Sequence, residues 1–320
     1  MPRPPLRRAL RAAPMLAALI WVPWALAAWL DLDGLTWAVP SAVAFLPYVA
    51  AFTAVALVVA VAARARLAAA IAILGVLLLV APRLGRITSD DQPAAHGAVV
   101  RIASSNLYGG RGDRTRLERI VSNGNVDIVA LQENTARSDA ALRAGAFGHR
   151  FPYSWSIPDP ANGATGLAVF SRWPVERLPA APGADRSLAV RIHVPGASTP
   201  LVVRSVHPYP PLGTHGLHCW RTCPPAFARA ASAQDDTVLV GDYNATLDHH
   251  PIRTLMANGF RDAADQVGMA WHPTWSGKRL LHLTIDHAFV SRRIAVDAFS
   301  VHDLPPSDHD VIVAQLHLPA

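Results

Sequence analysis

Asp242 and Asn244 stand two residues apart in the run TVLVGDYNAT, Thr237 to Thr246, where four apolar or β-branched residues lead into a glycine, a carboxylate and an amide. A buried strand delivers polar side chains to the exposed end of a sheet in this way. On extended backbone the two side chains point to one face. A fixed carboxylate there can orient and deprotonate a water that attacks phosphorus, while the amide steadies a non-bridging oxygen. Gly-Asp and Asn also build turns, so a plain loop is the competing reading of the same residues.

Other stretches end alike. Val99 to Leu107 (VVRIASSNL) is an apolar strand carrying Asn106 near its end, and Asp127 to Glu133 (DIVALQE) delivers Glu133. If those strands pair, two oxygen ligands become neighbours, and oxygen-only sites favour a hard cation such as Mg2+ or Mn2+. Glu133 could instead cap the segment Asn134 to Ala144. Leu201 to His207 ends on His207 before a proline, a place equally open to an ordinary surface histidine. Leu283 to Ser291 carries Asp286 and His287 in mid-strand, and SDHD, Ser307 to Asp310, enters a last strand over Val311 to Leu318. An imidazole at His309 suits contact with a phosphoryl oxygen, with Asp286 as the second carboxylate that fixes its tautomer.

The elements that must hold these groups follow from periodicity and punctuation. Further strands are expected over Thr165 to Val175 and Ser187 to Val194, separated by Pro and Gly turns. Helical spacing marks Arg114 to Ser122 and Pro251 to Asn258, the latter ended by Gly259. Pro208 to Pro225 reads as a long proline-containing loop that could wall a substrate cleft. It holds the only cysteines, Cys219 and Cys223 (CWRTC). They could form a small disulfide in an oxidising compartment, stay free, or join His215 and His218 on zinc.

Charge divides the chain. Of 29 basic and 23 acidic residues, residues 1–88 hold eight arginines and only Asp31 and Asp33 as acids, which leaves 21 of each sign in residues 89–320. The net charge of +6 therefore belongs to the N-terminal part. A nucleic-acid-binding domain normally carries its own basic surplus, so nucleic acid is not the expected partner.

The N-terminal part reads as a membrane anchor, residues 1–86, with three transmembrane helices at about 13–30, 39–63 and 67–82, each uncharged and apolar. A signal peptide is the alternative for the first, given Arg3, Arg7, Arg8 and Arg11 ahead of it. Arg64 and Arg66 hold the second connection in the cytoplasm, so a third helix leads outward. The expected order is then anchor, a polar linker at 87–98, and a catalytic domain at 99–320 outside the cytoplasm, in a multi-pass protein of the cell membrane.

Taken together, SSNL, LQEN, the His207 of VHP, GDYN, and the pair TIDH and SDHD, in that order over Val99 to Leu318, resemble the endonuclease/exonuclease/phosphatase superfamily. That group includes DNase I, abasic-site endonucleases, inositol-polyphosphate phosphatases and bacterial sphingomyelinases. The resemblance implies an α/β fold, a four-layer α/β/β/α sandwich. It implies that Asn106 and Glu133 position a metal with Asp308 near it or near a second one. Asp242 would orient the water, Asn244 and His207 would contact the phosphoryl group, and His309 paired with Asp286 would stabilise transition-state charge. Two positions depart from the pattern: Tyr108 stands where many nucleases of the group have an acid, and Tyr243 where Phe is usual.

Three spans ahead of such a domain are similar to the VanJ-type membrane proteins associated with teicoplanin resistance, which implies a phosphorylated lipid or cell-envelope precursor as substrate. The expected function is a membrane-anchored, divalent-metal-dependent phosphohydrolase that meets its substrate at the lipid bilayer. The rivals are an extracytoplasmic nuclease and a non-catalytic, membrane-tethered binding module, since fold does not guarantee activity.

Overall fold

The structure, a computed structural model, describes residues 15–319 apart from 18, 95–96, 161–163, 232–234 and 278–280. The arginine cluster at Arg3, Arg7, Arg8 and Arg11 lies outside the described residues. The chain divides into two compact units, Met1–Gly85 with Asp248–His250, and Arg86–Leu247 with Pro251–Ala320.

The first unit is helical, and it corrects the expectation of three spans. Among the described residues one helix, Arg66–Ile87 of 22 residues, is long and apolar enough to cross a membrane. Ala38–Ala44 and Leu46–Ala62 meet at a 58° bend and make a second span only if the bent pair is one. Met15–Trp29 is too short. Proline accounts for the bend: it sits in the first turn of Leu46–Ala62, where a ring without an N–H starts a helix but cannot continue one. Along Leu46–Ala62 and Arg66–Val80 the buried positions are mostly small, among them Ala56, Ala60, Ala68, Ala72 and Gly75 beside Leu46 and Leu79, whereas Val55, Val58, Val61, Leu74 and Leu77 face outward.

In the second unit the strands, in chain order, are β1 (Val99–Asn106), β2 (Ile128–Gln132), β3 (Tyr153–Ile157), β4 (Leu167–Ser171), β5 (Val175–Arg177), β6 (Ser187–Ile192), β7 (Leu201–Val206), β8 (Asp236–Asp242), β9 (Phe260–Asp262), β10 (Trp275–Gly277), β11 (Leu281–Leu283), β12 (Asp286–Ser291), β13 (Ala295–His302) and β14 (Val311–His317). Two six-stranded sheets form, ordered β13-β14-β1-β2-β4-β3 and β5-β6-β7-β8-β12-β9, with β10-β11 a separate hairpin. Within them β1–β2 and β7–β8 pair in parallel.

Strand alternation builds the layers. Ile102, Ile128, Ala130, Val203, Val238, Val240, Ala288 and Val290 share one core between the sheets. Their neighbours Ala103, Val129 and Leu131 turn the other way, onto Leu117, Val121, Leu142 and Phe147 of helices Arg114–Asn123, Ala136–Ala144 and Ala146–Arg150. Leu239 and Phe289 meet Trp220, Phe227, Ile252 and Leu255 of helices Gly213–Arg229 and His250–Ala257. The result is a mixed α/β arrangement, helix on sheet on sheet on helix. Because both faces of each sheet are covered, the central strands read as continuous apolar runs.

The Pro208 to Pro225 stretch is mostly not a loop. Helix Gly213–Arg229 runs through Pro224 and Pro225, and buries Gly216, Cys219, Trp220, Cys223 and Phe227 at helical spacing. That apolar face outweighs the two missing N–H groups. Cys219 and Cys223, one turn apart on it, are joined as a disulfide.

Burial, together with Asp262, pushes the Asp265 carboxyl up to about 6, and its Oδ1 has no hydrogen-bond partner. A raised carboxyl contributes its stability in full below its ordinary pKa, and the contribution is lost as pH rises through 6. Asp265→Asn should therefore raise Tm by about 3 °C at pH 7.5, roughly 1 kcal/mol after solvent screening, and leave it unchanged near pH 4. Thermal unfolding at the two pH values checks this, and an equal shift at both would sink the assignment.

Candidate active site

The same alternation that fills the inter-sheet core places polar groups at its open rim. Asn106 continues the inward set of Ile102, His207 that of Val203, Asp242 that of Val238 and Val240, and Asp286 that of Ala288 and Val290. Registers align them: Asn106 pairs with Gln132, Val206 with Gly241, and Asp286 with Asp242. The ends of the parallel strands and the starts of antiparallel β12 and β14 thus meet on one edge.

Two residues get there by breaking the alternation. Glu133 would follow Leu131 toward the helices, but it has φ +54° and its carboxylate turns back to the cleft, where Oε1 accepts from Asn106 Nδ2 at 3.2 Å and Oε2 from the Gly109 amide at 2.7 Å. Asn244, with φ +50°, lies beyond the end of β8. Its nearness to Asp242 comes from a turn, in which the Asn244 amide donates to Asp242 Oδ1 at 2.7 Å, and not from extended backbone. GDYN thus forms a turn and also brings Asp242 to the cleft. The Asn244 side chain donates to Pro208 O at 3.1 Å, and its carbonyl accepts from Trp220 Nε1 at 2.8 Å.

Gly241 has a steric reason. A Cβ there would come within 2.1 Å of the Val206 carbonyl, and within 3.0 Å of Gln132 Nε2. Beneath the rim, Gln132 bonds Ser104 of its own sheet at 3.2 Å and Ser205 of the facing sheet at 3.0 Å, a polar tie across the core. Alternation along LQEN could have revealed Gln132 as inward-facing. Thr274, by contrast, gave no signal in an irregular segment, yet its hydroxyl donates to Asp286 Oδ2 at 2.8 Å and accepts from the Ile285 and Asp286 amides.

Asp242 Oδ2 is the hub. Asn106 Nδ2 lies 3.0 Å from it, His207 Nε2 3.4 Å and His309 Nε2 3.6 Å. Burial alone would raise the Asp242 carboxyl, but His309, His207 and the Asn244 amide outweigh it and hold the group well below the usual carboxylate range. His309 Nδ1 faces the Asp286 carboxylate at 3.0 and 3.1 Å. Burial opposes its charge, yet Asp286 and Asp242 on either side push its pKa up to about 10, so it is an imidazolium at neutral pH. Asp286 opens β12 instead of sitting in mid-strand, and the next residue, His287, points away to Asp262 and the Ala245 carbonyl.

Asn106, Glu133, His207, Asp242, Asp286 and His309 therefore gather in one cleft. No hydrogen bond joins Asp308 to Asn106 or Glu133 among the described residues. Its Oδ2 accepts from Trp275 Nε1 at 2.9 Å, while Oδ1 is buried without a hydrogen bond. A buried, unpartnered carboxylate oxygen is costly unless a cation or water covers it. The ligand atoms of Asp242, Asp286 and His309 also lie within 4.8 Å of one another. The carboxylate oxygens of Glu133, Asp242, Asp286 and Asp308 are donors that fit a hard divalent cation, whereas Asn106, expected as a ligand, turns its Nδ2 to Glu133 and Asp242 and uses its Oδ1 to accept from the Tyr108 amide at 2.9 Å.

Residues 103–309 match the Endonuclease/Exonuclease/phosphatase family. Among solved structures the chain is similar to an endonuclease/exonuclease/phosphatase from Beutenbergia cavernae, at 19% identity over 69% of this chain and 72% of that one, with TM-score 0.55. It is also similar to D. rerio TDP2 complexed with a single-strand DNA product, at 15% identity over 68% and 99% of the two chains, with TM-score 0.54. The 3′ phosphatase NExo from Neisseria, bound to a product DNA hairpin, aligns at 17% identity over 67% and 98%, with TM-score 0.50. At such identities the likeness is one of fold. No curated protein matches the chain.

Proposed function

The chain belongs to the endonuclease/exonuclease/phosphatase family, whose members are phosphatases, phosphodiesterases or nucleases, and on that premise we propose a divalent-metal-dependent phosphohydrolase. The observation that carries the proposal is the convergence of Asn106, His207 and His309 on one ionised oxygen of Asp242, within 3.0 to 3.6 Å. A carboxylate held so far below its usual range is a reluctant proton acceptor, so Asp242 chiefly orients the attacking water. His309 directs an imidazolium, fixed by Asp286, at the charge that develops on the phosphoryl oxygens. His207 and Asn244 supply hydrogen bonds beside it. Glu133 and Asp308 would hold Mg2+ or Mn2+, with Asn106 steadying the Glu133 carboxylate through Nδ2, and the metal when bound neutralises phosphoryl oxygens and lowers the pKa of a water.

The substrate we propose is a lipid-linked or cell-envelope phosphate met at a membrane. The helices of the first unit, with alanines inward and large aliphatic side chains outward, have the pattern of helices that pack in lipid. The disulfide in helix Gly213–Arg229 supports an oxidising, extracytoplasmic side. A role in teicoplanin resistance rests on architectural resemblance alone, and a count of one or two apolar spans weakens that resemblance.

One observation favours a second reading, a nuclease. Although the catalytic part has no basic surplus, Arg111, Arg114 and Arg137 line a cavity of about 630 Å³ against Asp159 alone, and Gly109 in its wall bonds Glu133. Extra phosphates of a polyanionic chain would find cations there.

Both readings are tested with the full chain in detergent, assayed on a polyprenyl phosphate, bis(p-nitrophenyl) phosphate and plasmid DNA, with and without EDTA. Metal-dependent release of phosphate from the lipid is expected, lost with EDTA and restored by Mg2+ or Mn2+. DNA nicking without lipid hydrolysis would favour the nuclease, and inertness on all three would remove the hydrolase.

A further inference from the structure

Arg186 grips His207. It precedes β6 with φ +65°, a left-handed conformation that is unfavourable for a non-glycine residue and persists only where surrounding bonds enforce it. Those bonds are present. Its Nε donates to the His207 carbonyl at 2.9 Å, its Nη2 to the Ala164 carbonyl at 2.6 Å, and its own carbonyl accepts from the His207 amide at 2.9 Å. The guanidinium lies 4.4 Å from the centre of the Tyr209 ring. The remaining contact is from Nη2 to His207 Nδ1, at 3.1 Å.

That last contact decides a proton. Guanidinium carries five N–H donors and no acceptor, so the lone pair at 3.1 Å must come from the imidazole. Nδ1 is then bare, and the ring hydrogen sits on Nε2, which faces Asp242 Oδ2 at 3.4 Å and Glu133 Oε1 at 3.9 Å. A ring protonated on both nitrogens would set N–H against N–H. His309 meets the same Asp242 oxygen, but its Nδ1 faces a carboxylate instead of a guanidinium. The two histidines that flank Asp242 are thus given opposite electrostatic partners.

We infer that Arg186 is a positioning residue that holds His207 as its Nε2–H tautomer, with Nδ1 turned to the guanidinium and Nε2 directed at Asp242. The alternative Nδ1–H tautomer would turn a lone pair toward phosphoryl oxygens. The assignment of Arg186 deepens the phosphohydrolase reading and rests on it for the kinetic consequence, though not for the tautomer.

The test is nitrogen NMR of 15N-histidine-labelled full chain at pH 7.5, with the His207 signals identified by their loss in His207→Gln. A bare Nδ1 and a protonated Nε2 are expected in the unmodified protein. Arg186→Met should give mixed tautomers, and Arg186→Lys, which keeps a donor, should retain most of the original tautomer. Protonation of Nδ1 in the unmodified protein, or a spectrum unchanged in Arg186→Met, overturns the inference. Kinetically, Arg186→Met should lower kcat about 10- to 100-fold with KM within about two-fold, and cost less than about two-fold once His207 is already Gln. Equal losses in the two backgrounds also overturn it. If the unmodified protein cleaves no phosphate ester, the phosphohydrolase reading falls while the tautomer still decides on Arg186.

Discussion

Asp242→Asn is expected to lower kcat on a phosphate ester by on the order of 10⁴-fold with the fold retained. The substitution keeps the shape of the side chain, and its amide oxygen can still accept from the Asn244 amide, now at 2.7 Å from Oδ1. What disappears is the charge at Oδ2, on which Asn106, His207 and His309 converge. An amide N–H there would confront an imidazolium, so the variant should also lose stability at neutral pH. The sign follows from a carboxyl depressed in the folded state: its stabilisation is present above its ordinary pKa and lost as pH falls. Single-turnover hydrolysis with circular dichroism checks both parts. Retention of more than about a tenth of the rate would remove Asp242 from the chemistry.

His309→Gln should cost on the order of 10³-fold in kcat, because a neutral amide cannot replace the cation aimed at developing phosphoryl charge. The pH profile gives the sharper evidence. With its pKa raised to about 10, His309 remains charged through neutrality, and a rate that needs the charge declines only as pH rises through that value. Asp286→Asn removes the nearer of the two carboxylates that raise it, at 3.0 Å. The alkaline limb should then move down by a unit or more, in proportion to the lost ion pair. In the His309→Gln background, Asp286→Asn should add little, since the two act as one unit. An alkaline limb that stays in place would show that the imidazolium is not the acid form the rate requires.

The strands were legible because a covered sheet demands continuous apolar runs, and VVRIASS, DIVALQ, LVVRSV and TVLVGD are such runs, each ending where polar residues begin. The membrane reading was less secure for a physical reason. Composition over 39–63 records apolarity but not the helix start imposed by proline, and only the backbone shows a 58° bend between Ala38–Ala44 and Leu46–Ala62. Helix Gly213–Arg229 hid for the converse reason, since two prolines mark a loop to local rules while an apolar stripe at helical spacing overrides them.

By itself, then, the sequence determined which residue types end which strands: Asn106, Glu133, His207 and Asp242 after apolar runs, and Asp286 and His309 near the last ones. Pairing two separated Asp residues with one histidine depends on register, and register is a long-range property. Only the fold sets Asp242 opposite Asp286, brings Thr274 onto that pair and clasps Arg186 around His207 across 21 residues of chain. Local pattern fixes the direction of a side chain on its own strand. The state of a proton on His309 or His207 depends on which charge stands at the other end of the ring, and that is decided by neighbours distant in sequence.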